Sequence, residues 1–117
     1  MKTVQDVLPP DPAAAVIGFK RDAEKALPGR IARVVLFGSR ARGDARRGSD
    51  YDVAVFVRGV DGRTARRDIR HTLCDAAYDY MLRGFSISPY VLPAEELGHE
   101  PSSELVENIT RDGVLVP

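Results

Sequence analysis

The chain has few of the features that mark secreted, disulfide-stabilised or membrane-spanning proteins. Its 117 residues include one cysteine, Cys74, so neither an internal disulfide nor a cysteine-based zinc cluster can form. Cys74 falls among apolar positions of a predicted helix, where we expect a small buried hydrophobic residue. No apolar stretch approaches the roughly 20 residues of a membrane-spanning helix, and residues 1–10 lack the apolar core of a signal peptide. These absences predict a cytoplasmic protein without a membrane partner.

The chain also lacks an excess of charge of either sign. Lys and Arg together number 17, Asp and Glu number 17, and the formal net charge is zero. A neutral chain does not attract nucleic acid over long distances, so strong nucleic-acid binding is not expected. Arginine is nevertheless clustered, at Arg40, Arg42, Arg46 and Arg47 and again over residues 63–70. Such clusters favour contact with an acidic protein surface.

The composition indicates one globular unit. Hydrophobic residues make up 44% and charged residues 29% of the chain, as in ordinary globular proteins, and the length suits one domain. The sequence contains no internal repeat, low-complexity tract or linker. We therefore predict a single domain over residues 11–117, preceded by a poorly ordered lead-in over residues 1–10.

Apolar periodicity and turn residues predict alternating helices and strands. Helices are expected over 11–27, 39–43, 64–83 and 101–111, and strands over 31–37, 51–57, 85–92 and 114–116. Pro89 falls inside the third strand, which places that strand at a sheet edge or gives it a bulge. The predicted fold is therefore an α/β (α+β) domain with a small mixed β-sheet flanked by helices.

A Gly-Ser turn ends the first apolar run. Gly38 and Ser39 follow Phe37 directly and lead into a short predicted helix. The first turn of a helix leaves backbone N–H groups without intrahelical acceptors, and the serine adds a hydroxyl. Such groups suit a phosphate, whereas the ordinary alternative is a strand-ending turn with a helix cap.

Two carboxylates, Asp50 and Asp52, stand one residue apart at the start of the second apolar run. Alternate residues of a strand share one face, with their Cα atoms about 7 Å apart, so the two carboxylates converge while Tyr51 turns away. A carboxylate at a sheet edge is costly unless it is paired or metal-bound. The ordinary alternative is a pair of solvated acids. Together with the Gly-Ser turn, however, the pair suits a metal–nucleoside triphosphate complex.

Two strings carry a resemblance to a known family. Residues 37–44 read Phe-Gly-Ser-Arg-Ala-Arg-Gly-Asp, and residues 48–55 read Gly-Ser-Asp-Tyr-Asp-Val-Ala-Val. They resemble the nucleotidyltransferase superfamily that includes DNA polymerase β, and in particular its small prokaryotic branch, the minimal nucleotidyltransferases. Residues 105–114 are similar to the end of short members of that branch. The resemblance spans residue 31 to the C-terminus and implies a nucleotidyltransferase-like palm.

The resemblance also implies a reaction, the transfer of a nucleoside monophosphate from ATP or another nucleoside triphosphate to an acceptor hydroxyl. Asp50 and Asp52 would be the catalytic and metal-binding residues and would share two Mg²⁺ ions, about 3.5–4 Å apart. Gly38 and Ser39 would bind the triphosphate. Arg40 or Arg42 would contact it as well, with solvation of both arginines as the alternative.

In the minimal branch, such proteins commonly act with a helical partner of the HEPN type, as the antitoxin of a toxin–antitoxin pair. Some members adenylylate that partner. The predicted domain has room for a nucleotide site but none for an acceptor-recognition lobe, so we expect the acceptor to come from another protein. For the same reason, an aminoglycoside-modifying enzyme is the weaker interpretation.

One position departs from the family's pattern. The family usually supplies a third carboxylate from the neighbouring strand, here residues 85–92, and in this chain Ser86 or Ser88 would occupy the expected place. Glu95 and Glu96 lie past that strand. The third acid helps to hold the metal that activates the nucleophile. The alternative function is therefore a nucleotide-binding or partner-binding module with weak or no transfer activity.

Overall fold

A mixed sheet with helices on its faces forms the framework of the molecule, and the computed structural model describes all residues, 1–117. The elements, in chain order, are α1 (Val4–Val7), α2 (Pro10–Ala26), β1 (Ile31–Phe37), α3 (Ser39–Arg42), β2 (Tyr51–Val57), α4 (Gly62–Leu82), β3 (Ile87–Pro93), α5 (Glu104–Asp112) and β4 (Val114–Leu115). A single 3-10 turn, Ala94–Glu96, follows β3. None of the helices has the combination of length and hydrophobicity needed to cross a membrane.

The sheet has four strands in the order β3-β2-β1-β4. Strand β1 pairs antiparallel with β2 and with β4, whereas β2 and β3 are parallel. The predicted α+β fold with a small mixed sheet is confirmed. The parallel pair is possible because α4 carries the chain back across the sheet between β2 and β3.

The two faces of the sheet bury different helices. Alternate residues such as Leu36, Val53 and Val55 belong to the larger core with α2 and α4. The intervening residues belong to a smaller core that α5 covers, whose members are Val35, Phe37, Ala54, Phe56, Leu92, Val106 and Ile109. Asp50 and Asp52 precede Ala54 by four and two residues, so their side chains lie on the same face of the sheet as Ala54, the face that α5 covers. Asp50 is exposed and Asp52 is half-buried, so this end of the face is open.

Strand β3 lies at the edge of the sheet, as Pro89 predicts. The Tyr51 N–H donates to the Ser86 carbonyl over 2.8 Å. In a parallel pair, every second residue of a strand bonds to the neighbouring strand, so the even-numbered residues of β3 bond to β2. The backbone groups of the odd-numbered residues, including Pro89 and Pro93, point away from β2. Their missing N–H groups cost the sheet no hydrogen bond, and the two prolines reduce the donors exposed at this edge.

The first ten residues differ from the expected poorly ordered lead-in. Val4 is fully buried in the larger core, and Val7 and Leu8 pack against it. Backbone contacts fix the segment, since Thr3 bridges Leu115 and the Leu115 N–H donates to the Lys2 carbonyl over 2.8 Å. The apolar residues at positions 4, 7 and 8 have helical spacing and are the signal that identifies this short helix.

The prediction that Cys74 is buried is wrong, because its side chain is exposed. Helix α4 buries Ile69, Leu73, Ala77 and Tyr80. These residues recur at steps of three and four and define one stripe of the helix. Cys74 lies one position beyond that stripe, on the solvent side.

Candidate functional site

The carboxylate of Asp52 touches the turn that follows β1. Asp52 lies opposite Phe37 in the antiparallel pair and opposite Ser88 in the parallel pair. A Cβ atom built on Gly38 would lie 2.6 Å from the Asp52 Oδ2 atom. Gly38 also has φ 76° and ψ −159°, a region that is open almost only to glycine. Glycine is therefore required at position 38 both by the backbone and by the neighbouring carboxylate.

The turn presents hydrogen-bond donors beside this carboxylate. The N–H groups of Ala41 and Arg42 donate to the Gly38 carbonyl over 3.1 and 3.0 Å. The N–H groups of Ser39 and Arg40, which come first in α3, donate to no other backbone group. These two N–H groups and the Ser39 hydroxyl remain available for an anionic ligand.

Asp50 is held through its neighbours and through Ser86. The Ser86 hydroxyl donates to Asp50 Oδ1 over 2.7 Å. The Arg40 guanidinium donates to the Ser49 carbonyl through Nε and Nη2, over 3.2 and 2.9 Å, and its carbon lies 4.4 Å from the centre of the Tyr51 ring. Arg40 thus contacts Ser49 and Tyr51, the residues on either side of Asp50. The structure places this guanidinium at the start of β2, and its predicted contact with a triphosphate stays a prediction.

Arg42 links the turn to the C-terminal helix. Its Nε lies 3.3 Å from Asp44 Oδ2, and its Nη1 lies 3.5 Å from Asp112 Oδ2. Hydrogen bonds from Arg111 first, and then from Arg42, hold the pKa of Asp112 below its usual value. Asp112 was not among the predicted site residues, although it lies within residues 105–114, which carried part of the family resemblance.

The two carboxylates of the site influence each other. Burial and, secondarily, the negative charge of Asp50 raise the pKa of Asp52, while the positive charge of Arg42 opposes this rise. A cation between the carboxylates would remove both the repulsion and part of the burial penalty.

The donor set fits magnesium bound together with a phosphate ligand. No group of three or more His, Cys, Asp or Glu side chains is arranged so that it could hold a metal ion without further ligands. Mg²⁺ is commonly held by one or two carboxylates, with waters and substrate phosphates completing its shell. Glu95 and Glu96 line a separate cavity with His99, and neither Asp50 nor Asp52 belongs to that cavity.

The site around Asp50 and Asp52 is an open surface at the end of the sheet and not a cavity, and we call it the open shelf. None of the five main cavities is lined by Asp50 or Asp52. Beside the carboxylates, the rings of Phe37 and Tyr90 meet edge to face with their centres 5.2 Å apart. Tyr90 is 37% exposed and shares the face of Asp52, so it offers an aromatic surface that the sequence reasoning did not single out.

Comparison with known proteins gives concordant results. Residues 17–114 match the family described as nucleotidyltransferase domain. A protein of Methanocaldococcus jannaschii that is named for protein adenylyltransferase activity is 48% identical over 40 residues, which are 34% of this chain and 40% of that protein. The chain thus matches less than half the length of that relative.

A solved structure supports the fold. A Sulfolobus solfataricus protein that is named for nucleotidyltransferase activity superposes with a TM-score of 0.61. The superposition covers 88% of this chain and 77% of that chain, at 20% sequence identity. At this identity, the likeness shows the fold alone.

We predict that Gly38→Ala destabilises the protein by about 3 kcal/mol, because it combines backbone strain with a clash against Asp52. The control is Gly43→Ala, which also has a positive φ, 88°, but faces open space, and should cost only about 1 kcal/mol. Urea unfolding measures both values.

A double-mutant cycle isolates the contact between the turn and the carboxylate. Gly38→Ala should cost less in an Asp52→Ala background, because the backbone strain remains while the clash is removed. An equal cost in the two backgrounds would show that Asp52 does not press against the turn.

The raised pKa of Asp52 leads to a second prediction, on stability. Folding disfavours the ionised carboxylate, so the penalty is fully present above the folded-state pKa and vanishes as the pH falls below the unfolded value near 3.8. Without metal, Asp52→Asn should raise Tm at about pH 7 and should raise it less at about pH 4. Asp50→Asn is the control and should raise Tm less, because Asp50 is exposed. A Tm gain independent of pH would contradict this account.

Proposed function

We infer, since the chain belongs to the family of nucleotidyltransferase domains, that it binds a magnesium–nucleoside triphosphate complex and transfers a nucleoside monophosphate to a hydroxyl group. The observation that carries this inference is the contact between Gly38 and the Asp52 carboxylate. It brings together the pair that we propose to bind the cation and the turn that we propose to bind the phosphates, and a metal–triphosphate complex needs both. Either feature alone would have an ordinary explanation.

The chain's own residues have separate tasks in this proposal. The triphosphate would accept hydrogen bonds from the Ser39 and Arg40 N–H groups and from the Ser39 hydroxyl. Asp50 and Asp52 would hold Mg²⁺, as one ion or as the predicted pair. Bound Mg²⁺ would neutralise charge on the triphosphate and lower the pKa of the acceptor hydroxyl. Arg42, beside Asp52, would add positive charge near the phosphates.

The proposed transfer is a displacement at phosphorus. The acceptor oxygen forms a bond to the α-phosphorus while the bond from that phosphorus to the bridging oxygen breaks, and pyrophosphate leaves. The acceptor proton passes to solvent. The Ser86 hydroxyl donates to Asp50, and Arg40 bonds the carbonyl of the preceding residue, Ser49; together these contacts would keep the Asp50 carboxylate oriented toward the acceptor.

We propose ATP as the nucleotide and a protein hydroxyl as the acceptor. The support is the M. jannaschii relative, whose name assigns it protein adenylyltransferase activity. The open shelf at Asp50 and Asp52 would admit a side chain from a partner protein. Within the minimal nucleotidyltransferase branch, we propose a helical HEPN-type partner and an antitoxin role.

A second candidate function is a nucleotide-binding or partner-binding module with weak or no transfer. The observation that favours it is the position of Ser86 and Ser88 beside the carboxylate pair, where the family usually supplies a third acid. A missing charged ligand weakens the hold on the ion that activates the nucleophile. Each 1.4 kcal/mol of lost transition-state stabilisation slows the transfer about tenfold.

We predict that ATP with Mg²⁺ raises Tm by roughly 10 °C at a concentration of about 100 times Kd, because ligand bound to the folded state stabilises it. Asp50→Asn combined with Asp52→Asn should abolish the rise. Glu95→Gln combined with Glu96→Gln is the control and should leave it intact. A full nucleotide response in the Asp50/Asp52 variant would refute the metal assignment.

Substitutions at Ser86 and Ser88 distinguish an active transferase from a binding module. We expect slow transfer of labelled AMP by the native chain, and a gain of about tenfold or more in Ser86→Asp or Ser88→Asp, because a third carboxylate restores a metal ligand. Transfer to a co-purified partner is the readout. Fast transfer by the native chain, without gain in either variant, would show that two carboxylates suffice.

A further inference from the structure

A groove between α2 and the C-terminal end of α4 is the largest of the main cavities, with a volume of about 540 Å³. It lies on the α2–α4 side of the sheet, whereas Asp50 and Asp52 project on the α5 side. Three of the residues that line it from α2 are small, namely Ala14, Ala15 and Gly18. These small residues leave the space between the two helices open.

Two arginines line this groove and have no ion-pair partner. Arg21 comes from α2 and Arg83 from the end of α4. The salt bridges of the protein involve only Arg42, Arg67 and Arg111, and neither Arg21 nor Arg83 donates a side-chain hydrogen bond to the protein. The carboxylate of Asp11 also lines the groove, and that of Asp22 accepts a hydrogen bond from Tyr80, so the groove has no excess charge but holds two guanidinium groups whose donors have no protein acceptor.

Tyr80 lines the groove between the two arginines and is in contact with one of them, Arg83. Its ring is 5% exposed, and its hydroxyl donates to Asp22 over 2.7 Å. The Arg83 guanidinium lies 4.7 Å from the ring centre. The charges of both Arg83 and Arg21 act on this phenol, whose pKa rises to about 12 through burial and through Asp22. Tyr80 therefore stays protonated, and its hydrogen bond to Asp22 fixes it as the floor of the groove.

The backbone of α2 is adapted to this floor. A Cβ atom on Gly18 would lie 2.6 Å from the Tyr80 hydroxyl oxygen. Glycine at this position is what allows Tyr80 to reach Asp22. The groove is thus a built feature with a rigid base and not an accidental gap between two helices.

The groove also has an aromatic wall. Phe85 lines it and meets Tyr51 edge to face, with ring centres 6.4 Å apart. Tyr51 in turn carries the Arg40 guanidinium. A chain of direct contacts therefore joins the groove to the residues that flank Asp50.

We propose that this groove binds a small organic phosphate. Its phosphate group lies between the guanidinium groups of Arg21 and Arg83, which suit the geometry of phosphate oxygens. Its apolar or aromatic part packs against Ala14, Ala15 and Phe85. This site is separate from the carboxylate site, and it does not depend on the proposed transfer reaction.

The test uses AMP as the probe, without Mg²⁺, on the full chain carrying Asp50→Asn and Asp52→Asn. We expect NMR shifts at the side-chain Nε–H of Arg21 and Arg83 and at the Phe85 amide, and we expect inorganic phosphate to bind more weakly than AMP. Arg21→Gln and Arg83→Gln should each weaken AMP binding about tenfold, as expected for loss of a charge-assisted hydrogen bond.

Two further variants keep the test decisive. Ala14→Leu fills the groove from an exposed helical position and leaves both arginines and the helix propensity in place, so it should block AMP. Arg63→Gln and Arg66→Gln alter a different arginine-lined groove and should change nothing. The proposal is overturned if AMP causes no shifts at Arg21 and Arg83, if Arg63 and Arg66 respond equally, or if Ala14→Leu still binds AMP.

Discussion

The close approach of the Asp52 carboxylate to the Gly38 turn is the constraint on which the site depends. It requires a residue without a side chain at position 38, in a backbone conformation that other residues avoid. It also requires β1 and β2 to be adjacent and antiparallel, so that the end of one strand meets the start of the other. With these conditions met, the carboxylate lies beside the turn whose free N–H groups we propose as phosphate ligands.

Neighbouring positive groups reduce the electrostatic cost of placing the Asp50 and Asp52 carboxylates side by side. Asp52 is half-buried beside Asp50, and the cost appears as a raised pKa. Arg42 offsets part of that cost and is itself held by Asp44 and Asp112. The Ser86 hydroxyl donates to Asp50, and Arg40 contacts the two neighbours of that residue, Ser49 and Tyr51. Much of the polar bonding near the site therefore surrounds two carboxylates that repel each other.

The sequence predicted the framework because periodicity and turn residues are local signals. The bounds of β1 and β2 agree with prediction, and Pro89 correctly marked an edge strand. Contacts between residues that are distant in the chain were not predicted from the sequence. The packing of Val4, the exposure of Cys74, and the links from Arg42 to Asp112 and from Arg40 to Ser49 depend on neighbours distant in the chain. The predicted roles of Gly38, Ser39, Asp50 and Asp52 remain predictions, although the structure brings these residues together.

Paramagnetic relaxation by Mn²⁺, in place of Mg²⁺, tests the central claim most directly. With ATP present and Mn²⁺ well below the protein concentration, the account predicts that the amide signals of Ser39, Asp50 and Asp52 broaden first. The carboxylates alone should produce weaker broadening, because the ion lacks its phosphate ligands. Broadening that begins at Glu95, Glu96 and His99, or that does not depend on ATP, would contradict a shared metal–triphosphate site at the Gly38 turn.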